Sequence, residues 1–186
     1  MDQTCDLSRR IALAMGRLDA LEGELLRIGS AYSGKCTYAL TDIRSGEQIG
    51  HRQDDVMPTA SLIKVPVLAA LYRAAHEGRV SLTDRIRYGD EHRCLGSGVL
   101  SRMTPGGVEM LVRDAAVLMI IISDNSATNM VIDLVELEQV NETTRSFGLM
   151  QTTIFQRLGD TKAGLDARKM GTATRRSSPN ERARSG

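Results

Sequence analysis

Between Leu7 and Ile28, the apolar residues Leu7, Ile11, Ala14, Leu18, Leu21, Leu25 and Ile28 recur at steps of three and four. That period marks one face of an α-helix and predicts an amphipathic helix with Asp6 as its N-cap. The pattern then changes. KCTYALTDI alternates with β-branched positions, RSGE interrupts, and QIGHR follows, so residues 36–52 read as a β-hairpin turning at Arg44-Ser45-Gly46. From Ser61 to Glu77 the helical period returns, and Gly78 stands where a helix closes. LGSGVLSRMTPGG (95–107) holds five Gly or Pro residues and reads as a loop. VRDAAVLMIIIS (112–123) is apolar nearly all round, which predicts a helix central to a helical subdomain. Ser123-Asp124-Asn125 interrupts it, and residues 126–148 predict at least one further helix. A helix, an antiparallel pair and then helices make an α+β chain.

The end of the chain departs from this. After Leu165, Met170 is the only sizeable apolar residue. Such a composition buries too little surface to offset ordering entropy, so residues 166–186 are expected to be a disordered tail behind one domain at 1–165. The 186 residues suit one domain or about one and a half. With two Phe, four Tyr and no Trp there is little from which to build a base-stacking platform. A net charge of +1 gives no reason to expect a nucleic acid or an anionic membrane as partner. Cys5, Cys36 and Cys94 make neither a disulfide framework nor a CxxC knuckle, and His51, His76 and His92 lack ligand spacing. No metal or cofactor is expected. The N-terminal MDQTCDLSRRIALAMGRL has no apolar core of the signal-peptide kind, which leaves the chain cytoplasmic as written. AAVLMIII (115–122) is too short to cross a membrane.

The candidate chemistry begins in PTASLIKVPVL. Ser61 precedes Lys64 by three positions, one helical turn, so the two side chains meet if both are helical. A serine hydroxyl becomes a nucleophile when a neighbouring base takes its proton, and a lysine desolvated by Leu62, Ile63, Val65, Val67 and Leu68 can be that base. The helix N-terminus and the Ser61 N–H would stabilise an oxyanion. Alone, Ser-x-x-Lys is a weak signal that arises by chance in many proteins, and a snorkelling lysine on a helix flank explains it better. Ser123-Asp124-Asn125 adds a second signal: Asp124 fits an N-cap, but Ser123 and Asn125 ask for another reason.

Taken together, 62 residues apart, these two motifs resemble those of the serine β-lactamases and penicillin-binding proteins, more narrowly the class A β-lactamases. TYALTDIRSGEQIG, MPTASLIKVPVL, SDNSATN and SFGL carry the likeness over roughly residues 8–165. The resemblance implies a β-lactamase/transpeptidase-like fold, a helical subdomain beside an antiparallel sheet. It implies that Ser61 opens a β-lactam ring or attacks a D-Ala-D-Ala peptide, that Lys64 activates it and that Ser123 relays a proton. It further implies that Asn125 holds the substrate amide and that Asp124 is structural. A small-molecule substrate, no cofactor and a periplasmic or secreted setting come with the family; the oligomeric state does not.

Two family elements are missing. No Lys-Thr-Gly follows on a late strand, and Lys162-Ala163-Gly164 comes too early and lacks the hydroxyl. FQRLGDTKAGLD contains Arg157 but no glutamate of the deacylating kind, with Asp160 and Asp166 as distant substitutes. The sheet is therefore expected to be incomplete. Three readings stand: a β-lactam-opening serine hydrolase, a cell-wall peptidase relative, and an inactive truncated relic.

Overall fold

The computed structural model describes residue 18, residues 21–159 and residues 171–173, in two units divided after Asp55. In the first unit, helix α1 covers residues 21–31, the later part of the predicted helix, but Leu21 and Ile28 of its expected apolar face are exposed; Asp6 and residues 7–17 lie outside the described part. Strands β1 (Tyr38–Thr41) and β2 (Gln48–His51) pair antiparallel in the register Tyr38↔His51 to Thr41↔Gln48. Asp42 organises the turn between them. Its Oδ1 accepts from Arg44 N (2.7 Å) and Ser45 N (3.1 Å), and its carbonyl accepts from Gly46 N, which sits at φ +75° where glycine is least strained. Of the hairpin's apolar residues, Ile49 is buried while Ile43, at the turn, is 97% exposed.

Among the described residues, the second unit holds four α-helices: α2 (Lys64–His76), α3 (Val112–Ile121), α4 (Asn125–Val135) and α5 (Leu137–Ser146). Two small ladders accompany them. Strands β4 (Arg85–Arg87) and β5 (Glu109–Leu111) pair antiparallel, and β3 (Met57–Pro58), β7 (Gly171–Ala173) and β6 (Thr153–Ile154) form a three-stranded sheet with β7 in the middle. Val67, Leu71, Val112, Met119, Val131, Val135 and Val140 are fully buried in one core, each worth about 1.5–3 kcal/mol of transfer energy.

Two expectations need correction. The central helix is α4, not α3. Val117, Ile121 and Ile122 leave one side of α3 exposed (Ile121 by 76%), whereas α4 buries Asn125 through Ile132. Ser126, Ala127 and Thr128 are small enough for α2 and α3 to approach closely, and their polar atoms find partners, so burial follows size and satisfied hydrogen bonds rather than hydrophobicity. The assumed tail also contains structure: residues 171–173 form β7, which two neighbouring strands hold in place although its own side chains bury little. The rest of 166–186, with Asp160, Asp166 and Lys162-Ala163-Gly164, lies outside the described residues.

Candidate active site

The chain approaches Ser61 along β3, whose pairing with β7 continues one residue further. Both Thr59 N (3.1 Å) and Thr59 Oγ1 (3.2 Å) donate to Gly171 O. Ala60 then adopts φ +45° and turns the chain into a 3-10 segment, Ala60–Ile63, that carries Ser61. The predicted helix thus starts three residues late, with Lys64 as the first residue of α2.

Lys64 is 3% exposed, and its amine lies among four oxygens. Nζ is 2.7 Å from Ser123 Oγ, 2.7 Å from Ser123 O, 2.8 Å from Asn125 Oδ1 and 3.5 Å from Ser61 Oγ. Ser123 Oγ stands 3.0 Å from Ser61 Oγ and bridges the Ser61 hydroxyl and the amine. Ser61, Lys64, Ser123 and Asn125, singled out separately in the sequence, therefore form one hydrogen-bonded cluster. Ser123 sits at φ +56°, a left-handed conformation that costs a non-glycine residue about 1–2 kcal/mol. In that conformation its carbonyl and its hydroxyl both face Lys64.

Burial lowers the pKa of Lys64 from the ordinary 10.5, with the Asp124 carboxylate and Cys94 pulling the other way. Two of the amine's neighbours, Ser123 O and Asn125 Oδ1, only accept; the other two are hydroxyls that accept or donate. As an ammonium, Lys64 donates to both carbonyl oxygens and to Ser123 Oγ, while Ser123 passes its own hydrogen to Ser61. As a neutral amine, it donates to the two carbonyls and its lone pair accepts from Ser123. Each state satisfies every group. The arrangement can move a proton off Ser61.

Asp124 explains why the Ser-Asp-Asn turn is stable. Its Oδ1 caps α4 through Ala127 N (2.9 Å), as expected of an N-cap. Its Oδ2 does more, accepting from Val99 N (2.6 Å) and Leu100 N (2.9 Å) in the preceding loop. Gly98, at φ +105°, passes so close that a Cβ there would collide with this carboxylate. Asn125 Nδ2 holds Leu95 O (3.0 Å), and Ser126 Oγ accepts from Cys94 N (3.0 Å), so residues 94–100 are fastened along the first turn of α4.

Sequence reasoning missed Thr59 and Asn129. Asn129, 1% exposed, binds Leu158 with both ends of its amide: Oδ1 accepts from Leu158 N and Nδ2 donates to Leu158 O, each at 2.9 Å. It also donates to His92 O (3.3 Å), so it joins residues 92 and 158 to α4. Its signal was available, since Asn125 and Asn129 repeat an amide at i, i+4 on a helix whose other residues, Asp133 apart, are apolar or small. Beside it, Asp133 Oδ2 takes His92 Nε2 and Arg157 Nη2, each at 3.3 Å. Among the described residues, no group of three His, Cys, Asp or Glu side chains is placed to hold a metal. Nor is any described helix long and apolar enough to cross a membrane.

Known proteins share this architecture. The β-lactamase of Sphaerobacter thermophilus is 32% identical, with a TM-score of 0.74 over 83% of this chain and 57% of that one. PBP-A is 30% identical, with a TM-score of 0.74 over 85% of this chain and 58% of that one. β-Lactamase L2 of Stenotrophomonas maltophilia is 33% identical over 105 residues, 56% of this chain and 34% of that protein. The chain thus spans about a third of that curated relative's length and less than two thirds of the solved structures. The family model described as "Beta-lactamase enzyme family" matches residues 20–185, so the chain belongs to the β-lactamase enzyme family.

Proposed function

We propose that this chain reacts with β-lactams through an acyl-serine, as a β-lactamase-type serine hydrolase with Ser61 as nucleophile, Lys64 as base, Ser123 as proton relay and Asn125 as substrate anchor. The observation that carries the reading is the hydroxyl–hydroxyl–amine chain, 3.0 Å from Ser61 to Ser123 and 2.7 Å from Ser123 to Lys64.

In the first step Ser61 Oγ bonds to the lactam carbonyl carbon while its proton passes through Ser123 Oγ to neutral Lys64. The carbonyl electrons collect on oxygen, where the Ser61 N–H is the proposed donor. When the C–N bond breaks, the ring nitrogen takes a proton from Ser123, which Lys64 replenishes. Ser61 is left as an ester and the amine is neutral again. Asn125 Oδ1 already serves Lys64 and one Nδ2 hydrogen serves Leu95, which leaves the other hydrogen for a substrate carbonyl.

Hydrolysis of the ester needs a base for water. The Asp124 carboxylate is committed to three backbone N–H groups, and among the described residues no carboxylate hydrogen-bonds to Ser61, Lys64 or Ser123. Because FQRLGDTKAGLD contains no glutamate of the deacylating kind, the acyl-enzyme is expected to accumulate. Persistent acylation is a binding role, whereas rapid hydrolysis would confer antibiotic resistance. A mutant of PBP-A, which matches this chain at the same TM-score as the β-lactamase, has been captured as an acyl-enzyme with penicillin G; the second reading, a D-Ala-D-Ala peptide as substrate, comes from the resemblance of the motifs to the penicillin-binding proteins.

Intact-mass spectrometry after incubation with penicillin G tests the proposal. A single adduct, absent from Ser61→Ala, is expected. A folded chain that forms none is the inactive relic, and turnover of a D-Ala-D-Ala peptide without β-lactam hydrolysis selects the peptidase.

A further inference from the structure

Thr59 commits every polar group it has to the turn that presents the nucleophile. Its N–H and its hydroxyl converge on one acceptor, Gly171 O, at 3.1 and 3.2 Å, while its own carbonyl accepts from Leu62 N at 3.0 Å. The residue is 6% exposed, so the hydroxyl has left water for this contact. The next residue, Ala60, stands at φ +45°, a conformation a side-chain-bearing residue leaves unless its surroundings hold it there. One residue on is Ser61, whose Oγ must remain 3.0 Å from Ser123 Oγ. The acceptor is equally fixed. A Cβ on Gly171 would lie 2.6 Å from Thr153 O and 3.0 Å from Ile63 Cδ1, so β7 rests directly on β6 and on the residue before Lys64.

We infer that Thr59 is a positioning residue for Ser61: its hydroxyl, latched to the Gly171 carbonyl, holds Ala60 left-handed and so keeps the nucleophile in line with its relay. The inference rests on the proposed role of Ser61. It predicts that a distortion of a few tenths of an ångström at the turn reaches the reacting oxygen, where misplacement is expensive in rate. Removing the hydroxyl while keeping the shape of the side chain isolates the latch.

The test compares the full chain with Thr59→Val and Thr59→Ser, reading the penicillin G acylation rate by mass spectrometry and the thermal midpoint by circular dichroism. Thr59→Val is expected to acylate about tenfold more slowly at the same residue, at saturating penicillin, with its apparent affinity for penicillin unchanged. Thr59→Ser, which keeps the hydroxyl but loses a methyl, should recover to within about twofold of the parent. A Val variant as fast as the parent overturns the inference, and so does a Ser variant as slow as Val. Should Thr59→Val fail to fold, a tenfold loss in Thr59→Ser overturns it alone. If the parent forms no adduct, the reading of Ser61 fails instead. The latch is then read from amide exchange: Thr59→Val should speed exchange at Leu62 and spare α4, and unchanged exchange at Leu62 overturns it.

Discussion

Replacing Asp124 separates the two tasks of one carboxylate. Oδ1 caps α4 at Ala127 N, and Oδ2 gathers Val99 N and Leu100 N. Asp124→Asn has the same shape but only one acceptor oxygen. It can serve the cap or the loop, and its amide group then faces backbone N–H groups that also donate. Losing the cap alone costs about 1 kcal/mol. Leaving buried N–H groups without an acceptor costs about 1–3 kcal/mol each. The expected losses are about 2 kcal/mol for Asp124→Asn and about 4 kcal/mol for Asp124→Ala, a large part of a domain's total stability. Urea unfolding followed at 222 nm measures both. The charge matters separately. Asp124 raises the pKa of Lys64 against the larger lowering by burial, so the Asn variant should start to acylate at lower pH than the parent. An Asn variant within about 0.5 kcal/mol of the parent would mean that the three contacts contribute little, and the reasoning would be wrong.

Lys64→Arg keeps a cation that cannot deprotonate near neutrality and should lose acylation by penicillin G; rates within a few-fold of the parent would reduce Lys64 to a structural charge. Because the folded pKa of Lys64 lies below 10.5, the native state binds its proton less readily than the unfolded chain. Its contribution to stability should therefore improve as pH rises from that folded value toward 10.5, and Lys64→Met should abolish this slope in urea titrations. Gly171→Ala forces a Cβ to 2.6 Å from Thr153 O and should cost about 1–3 kcal/mol in thermal unfolding; an unchanged midpoint would show that β7 gives way freely. Hydrogen exchange should be slow across α4 and fast in β1 and β2, which among the described residues pair only with each other, and equal protection would contradict that contrast.

The contact between Ser61 and Lys64 was legible in the sequence although the element around it was misjudged. Ser61 is in a 3-10 turn and Lys64 begins the α-helix, yet residues three apart share a face in either geometry, so the contact did not depend on the assignment. Asp124 as an N-cap was legible for the same local reason. What was hidden depends on distant partners. β3 is two residues long and contains Pro58, β7 has three small residues, and neither has a strand pattern of its own; their pairing closes 112 residues of chain between Thr59 and Gly171. The order of burial in α3 and α4 was hidden too, because hydrophobicity does not report which side of a helix has a neighbour. Ile121 is exposed and Thr128 is not.

The two hydrogen-bonding solutions open to Lys64 bear on how fast its proton can move. Ser123 O and Asn125 Oδ1 accept from the amine in both protonation states, and Ser123 Oγ only reverses from acceptor to donor. Charge can therefore appear and vanish on Nζ while every heavy atom stays where it is. Most of the reorganisation that water would have to make around a new ammonium ion was completed when the chain folded, with part of its cost held in the left-handed backbone of Ser123.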